Sequence, residues 1–256
     1  MKSKAMALYL GALSISILSV QTFASSGHEH WGYEGHSGPE HWGELKQAFS
    51  VCKTGTRQSP IDINVKQLLP AKLGDIRFDY QPASPELINN GHTIQVNYAD
   101  GSVIAVGGRK FGLAQFHFHT PSENTVNGKA YDMEMHLVHK NAQGELAVVG
   151  VFFKQGKHDE ALETVWRHMP ENANEKKTLA DIRLSAADLL PQNRSYTHFN
   201  GSMTTPPCSE GVNWFVLSEP LEASAVQIQR FSKIIGNNAR PVQKLNNRFV
   251  LGKNNK

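Results

Sequence analysis

Two stretches of alternation, Gln115-Phe116-His117-Phe118-His119 and Met133-Glu134-Met135-His136-Leu137-Val138, constrain this chain more than any other feature in it. Successive side chains on a β-strand point to opposite faces, so each stretch reads as a two-faced strand. Phe116 and Phe118, then Met133, Met135 and Leu137, make one face apolar; Gln115, His117 and His119, then Glu134, His136 and Val138, make the other. If the two strands are antiparallel neighbours, three imidazoles converge while their backs enter a core. Buried imidazoles need partners, and Gln115 and Glu134 share their face, placed to accept ring N–H bonds and fix the tautomers. A lone strand histidine is usually an ordinary core or surface residue. Three with no fourth protein ligand are the donor set of a catalytic zinc, which keeps one position open for water. His117, His119 and His136 are therefore read as metal ligands.

Similar short segments recur at residues 76–80, 93–98, 102–106, 113–119, 131–140, 146–154 and 212–217, separated by turn residues. Asp100-Gly101 is a hairpin signal between two of them, and Asn141-Ala142-Gln143-Gly144 marks another turn. Helical patterns are fewer and shorter, at 39–49, 159–168, 186–190 and 223–235, the last opened by Ser224 or Ala223. The chain reads as one mainly β domain with peripheral helices.

The first 24 residues have the organisation of an export signal: Lys2 and Lys4, an apolar stretch interrupted by serines, and a small-residue cleavage site at Thr22-Phe23-Ala24. The apolar run falls short of the roughly 20 residues of a membrane span. The expectation is cleavage after Ala24, a domain over 25–256, no membrane association afterwards, and a periplasmic location, full secretion being the alternative. Cleavage removes two lysines, so the formal charge falls from +3 to +1, and no cluster of Lys and Arg interleaved with aromatics points to nucleic acid. Two cysteines remain, Cys52 and Cys208, and in an exported chain a pair favours a disulfide over free thiols.

The two histidine strands resemble the zinc strands of the α-class carbonic anhydrases. So do Ser122-Glu123-Asn124, Ser202-Met203-Thr204-Thr205-Pro206-Pro207, Asn89-Asn90-Gly91-His92 and Gln58-Ser59-Pro60-Ile61-Asp62-Ile63. The motifs run in the family's order from about Trp31 to Pro241. The resemblance implies a large twisted, mostly antiparallel sheet of about ten strands. It implies cis bonds at Ser59-Pro60 and Pro206-Pro207, and a Cys52–Cys208 bridge tethering the Thr204 loop to the N-terminal region. It also implies zinc-dependent, reversible hydration of carbon dioxide to bicarbonate and a proton, with water as co-substrate.

Residue roles follow from the same resemblance. Thr204 donates to Glu123 and accepts from the attacking hydroxide, since an ionised carboxylate can only accept. Thr205 contacts bicarbonate or ordered water. Val138, Leu146, Val148, Met203, Val212 and Trp214 form an apolar pocket for an uncharged substrate, each being ordinary core on periodicity alone. Met203 stands where leucine is common in the family, and its unbranched, flexible side chain gives the pocket a different shape. His92 carries protons, an imidazole near pKa 6.5 matching both donor and solvent. Tyr33, Asn90, Gln95 and Asn238 order the connecting waters, Asn238 also standing behind the ligands, and Gln95 departs from the usual asparagine. His139 points away from the ligands and is read as structural. Bacterial relatives are often dimers, which makes a homodimer the better expectation, although no apolar surface stripe demands one. Two other functions compete: a non-catalytic relative that keeps the fold for binding, which would lose a zinc ligand, and a periplasmic zinc store, which would not need the Thr–Glu pair.

Overall fold

In the computed structural model, which describes residues 30–253, the two alternating segments lie side by side. They belong to β4 (Arg109–His119) and β5 (Met133–Lys140), the elements introduced here being β1 (Glu86–Asn89), β2 (Ile94–Asn97), β3 (Val103–Val106), β4, β5, β6 (Leu146–Gln155), β7 (Tyr196–Ser202) and β8 (Glu210–Leu217). The β4–β5 ladder is antiparallel and sets His136 opposite His117 and Glu134 opposite His119. A one-residue slip would turn every histidine into the core, so the apolar backs fix the register as firmly as the hydrogen bonds do.

Thirteen strands form the main sheet. Ten lie along one path: Lys176–Thr178, β1, β2, β4, β5, β6, β8, β7, Leu251–Lys253 and Leu69–Ala71. The contact between β6 and β8 is parallel, whereas β4–β5, β5–β6 and β7–β8 are antiparallel. The expected size and mostly antiparallel character of the sheet are thus met. The hairpin expected at Asp100-Gly101 is not. Both flanking strands pair with β4 instead, β2 through Gln95–Asn97 and β3 along Arg109–Gly112, so they follow one another down the same edge. β4 is long enough, at 11 residues, to satisfy both. The turn at Asn141–Gly144 does join neighbours, β5 and β6.

Phe116, Phe118, Met133, Met135 and Leu137 are fully buried in the larger core. Two helices cover that face, α1 (Glu160–Trp166) and α2 (Ala225–Ile235). Trp166 stacks on Phe231 and meets Phe118 edge-on at 4.7 Å between ring centres. Asp159 caps α1 by accepting from Leu162 N, and Ser224 opens α2 in a reciprocal capping box with Gln227. A second apolar cluster lies on the histidine side and includes Val138, Val148, Phe199, Val212 and Trp214. The expected helix over 39–49 is broken into short turns, Trp42–Leu45 and Gln47–Phe49, followed by Val51–Thr54. Cys52 and Cys208 are joined, tying this segment to the loop between β7 and β8. Ser59-Pro60 and Pro206-Pro207 are cis, as is Thr120-Pro121, which the sequence reading did not single out. The export signal expected over residues 1–24 lies outside the described residues. Among the described residues no helix is long and apolar enough to cross a membrane.

Candidate metal centre and its cavity

Nitrogens of His117, His119 and His136 all lie within 4.8 Å of one another. Each ring has its other nitrogen near a protein oxygen. His117 Nδ1 is 2.9 Å from Gln115 Oε1, His119 Nδ1 is 2.8 Å from the Asn238 carbonyl, and His136 Nε2 approaches Glu134 Oε1 at 3.1 Å, off the line of a good hydrogen bond. These contacts leave Nε2 of His117 and His119, and Nδ1 of His136, for a shared cation. His119 Nε2 is buried with no hydrogen-bond partner, a costly arrangement for a group with nothing to bind.

Electrostatics point the same way. Burial, and the neighbouring imidazoles, hold His117 and His136 well below the ordinary histidine range, and burial holds His119 at about 4. All three are therefore neutral at neutral pH, as ligands must be. Two buried carboxyls stand behind them. Burial pushes Glu123 up to about 8 against the opposing pull of the Thr204 side chain and the Arg240 N–H. Burial pushes Glu134 up to about 7, opposed chiefly by Asn124, whose Nδ2 and N both donate to it, as does Glu123 N. A cation among the three imidazoles would supply the opposite charge these carboxyls lack, so the donor set fits a metal ion.

β6 helps to make room for this arrangement. A Cβ built on Gly150 would sit 2.8 Å from Glu134 Oε1. Any side chain there would push the carboxyl off its three donors and away from His136.

The centre lies in the wall of a cavity of about 190 Å³. Val138, Val148, Met203 and Trp214 form an apolar side; Tyr33, Asn90, Gln95 and Gln115 form a polar one, with Thr204 and Thr205 also exposed to it. Leu146 and Val212, expected in the pocket, do not line it. Val212 is buried in the apolar cluster behind its wall, and the partly buried Leu146 packs against that cluster. Glu123 is likewise buried behind the lining. One of its oxygens accepts from Arg240 N at 2.9 Å, while the other is 3.4 Å from His119 Nε2 and lacks a hydrogen bond. The Thr204 hydroxyl makes no well-formed hydrogen bond to Glu123 in this conformation.

His92 stands at the mouth, presented by a tight turn. Asn90 Oδ1 accepts from the backbone N–H of His92 and Thr93, both at 2.9 Å, and Gly91 takes a positive φ of 83°. Asn238 Nδ2 donates to the His92 carbonyl, joining the mouth to the ligand support. The ring stacks on Trp31 at 3.6 Å and 10°, and lies 4.9 Å from the ring of His30. Burial and His30 lower its pKa to about 4, not the value near 6.5 that the sequence reading assumed.

Several participants escaped the sequence reading. Trp31 marked only where the resemblance began. Arg240 is a buried arginine whose guanidinium bonds Gln58 Oε1 and the carbonyls of Ser59 and Cys52, and nothing in its neighbourhood signals that role. Asn124 was visible inside a motif without its task being apparent. His139 does face away from the centre, its Nε2 2.8 Å from Tyr80 Oη.

Comparison with known proteins agrees with this geometry. A family model described as eukaryotic-type carbonic anhydrase matches residues 37–254. The chain is 46% identical over 225 residues to a carbonic anhydrase of Nostoc sp., covering 87% of this chain and 85% of that one. It is 43% identical over 246 residues to a carbonic anhydrase of Pectobacterium carotovorum, covering 94% and 99%. Among solved structures it is similar to the α-carbonic anhydrase of Thermovibrio ammonificans in complex with the inhibitor sulfanilamide, at 49% identity and a TM-score of 0.84, covering 87% of this chain and 98% of that chain.

Proposed function

The chain belongs to the eukaryotic-type carbonic anhydrase family, and from that premise we propose that it is a zinc enzyme for the reversible hydration of carbon dioxide, with His92 as proton carrier. The observation that carries this reading is the set of three neutral imidazoles, each with one nitrogen turned to an oxygen of Gln115, Asn238 or Glu134 and the other turned toward the shared centre. His117, His119 and His136 would hold the ion. Zinc, when bound, acidifies water at its open position, to a pKa of about 7 in carbonic anhydrases as a class, so that a nucleophile forms at neutral pH.

The chain's own residues supply the rest. Thr204 takes a hydrogen bond from a hydroxyl at the cavity floor and gives its own to Glu123, which orients an oxygen lone pair toward the substrate. Val138, Val148, Met203 and Trp214 offer carbon dioxide a surface without strong hydrogen-bonding groups, and Thr205 meets the more polar bicarbonate. His92 receives the released proton through water ordered by Tyr33, Asn90 and Gln95. Against Trp31 its basicity is too low for a donor near 7, so it works with its ring turned out of the stack into water.

We also assign residues 1–24 as a cleaved export signal, residues 25–256 as the mature domain, and a periplasmic location. The Cys52–Cys208 bridge fits an oxidising compartment. A homodimer is the proposed assembly. The decisive experiment measures carbon dioxide hydration before and after zinc chelation. Activity lost with the metal and restored by zinc supports the reading; a purified, zinc-loaded protein without hydration activity would overturn it.

A further inference from the structure

Three side chains on β1 and β2 form a relay with a built-in direction, ending in the cavity wall. Gln95 and Asn97 are two residues apart and share a face of β2, and Gln95 Nε2 donates to Asn97 Oδ1 at 2.7 Å. Asn97 pairs with Glu86 across the β1–β2 ladder, and its Nδ2 donates to Glu86 Oε1 at 2.8 Å. A carboxylate only accepts hydrogen bonds, whereas an amide has one accepting end and one donating end. Glu86 therefore dictates both orientations. Turning the Asn97 amide over would leave two oxygens 2.8 Å apart with no hydrogen between them, and turning Gln95 over would do the same at 2.7 Å.

The free end of the relay is Gln95 Oε1, which has no hydrogen-bond partner among the described residues. Gln95 lines the cavity, and its backbone pairs across the ladder with His117. We propose that Glu86 and Asn97 are positioning residues that hold Gln95 with its acceptor oxygen toward the cavity, and so orient the water that bridges the floor and His92. A water that gives one hydrogen to Gln95 Oε1 keeps a lone pair for the proton arriving from the floor and a second hydrogen to pass toward His92. This inference rests on the proton transfer proposed above.

Its test uses the zinc-loaded, full-length mature enzyme. Glu86→Lys places a donor where only an acceptor stood, which reverses both amides and turns Gln95 Nε2 into the cavity. Losing or inverting one hydrogen bond to the bridging water corresponds to a fall of roughly 3- to 10-fold in turnover in weak buffer. Carbon dioxide–bicarbonate exchange at chemical equilibrium, which needs no net proton export, stays at the wild-type rate, and KM is unchanged. Glu86→Gln, which can still accept from Asn97, keeps turnover within about twofold of wild type. Neutron diffraction from deuterated wild-type crystals gives a readout that does not depend on activity: the ND₂ end of Gln95 faces Asn97, with one deuteron on the line to Asn97 Oδ1. Should Glu86→Lys fail to fold by circular dichroism, Asn97→Ala cuts the relay from the other side with the same expected loss. A deuterium-free Gln95 oxygen facing Asn97, or wild-type turnover in folded Glu86→Lys or Asn97→Ala, would overturn the proposal. Absence of exchange activity in the wild type would instead sink the proposed function while leaving the amide orientation standing.

Discussion

At the cavity floor His117 and His119 are held by hydrogen bonds to Gln115 and Asn238 and His136 lies beside the Glu134 carboxyl, whereas at the mouth the ring nitrogens of His92 make no hydrogen bond among the described residues and the ring rests on Trp31. The floor partners are themselves held: Glu134 accepts from Glu123 N, Asn124 N and Asn124 Nδ2, all within 2.9 Å. Stacking of rings is worth only about 0.5–1.5 kcal/mol beyond burial and does not pin an angle about the ring normal. A ligand must stay where its lone pair is needed, and a carrier must move between donor and solvent. The two ends of one cavity thus hold the same side chain differently, by polar neighbours at the floor and by stacking at the mouth, as the proposed roles of ligand and carrier require.

The largest expected effect lies at the floor. His136→Ala leaves two ligands, and hydration activity should fall by on the order of a thousandfold or more, because the acidified water is lost with the metal. Zinc content by atomic absorption should fall with it, while far-ultraviolet circular dichroism stays native. One zinc per chain and full activity in that variant would break the ligand assignment.

Glu134→Gln tests whether the support behind a ligand matters as the geometry implies. A weakening of zinc affinity by about 10- to 100-fold is expected, measured by competition with a chelator, since outer partners fix tautomer and ring orientation. Unchanged affinity would mean that backbone position alone holds His136.

At the mouth the effects are smaller and conditional. His92→Ala should lower turnover in weak buffer by on the order of tenfold or more, spare carbon dioxide–bicarbonate exchange, and recover when free imidazole is added. Equal losses in both steps would show that His92 serves structure rather than proton export.

Trp31→Ala should move turnover least but sharpens the comparison most directly. Burial is the first cause of the lowered pKa of His92, so removing the indole should raise it from about 4 toward the ordinary 6.5. Titration of the ring proton by nuclear magnetic resonance reads this shift, and an unmoved pKa would deny Trp31 its part in the burial.

Much of this was legible from residue order, for a physical reason. The β4 and β5 segments announce their faces because both faces are buried and chemically distinct, so period-two alternation survives in the letters. β7 was not read as a strand. Its end, Asn200-Gly201-Ser202, looks like a turn, yet Gly201 is required there because a Cβ would meet Ser59 Oγ and Trp214. The strands Leu69–Ala71, Lys176–Thr178 and Leu251–Lys253, at or next to the ends of the sheet, are three residues each, too short to show a period. In the site, the ligands and Gln115 could be read because they act through local strand geometry. Arg240 and Trp31 act across long separations, and Leu146 and Val212 were misplaced because apolar residues lining a wall and lying behind it look alike in sequence.

His139, three residues past the last ligand, carries one more consequence. Burial lowers its pKa to about 4, against the pull of the carbonyls near it, so it is neutral in the fold and basic once released. Between roughly pH 6.5 and 4 the unfolded chain binds a proton that the folded one refuses, and stability drains away as the medium acidifies through that window, by roughly 3 kcal/mol in all. Denaturant midpoints measured across the window should show this slope, reduced by one proton in His139→Gln, and an identical slope in the variant would place the acid sensitivity elsewhere. Hydration of carbon dioxide releases protons, so an enzyme of this kind confined in a poorly buffered space would withdraw part of its own stability, through a residue that lines no part of the cavity.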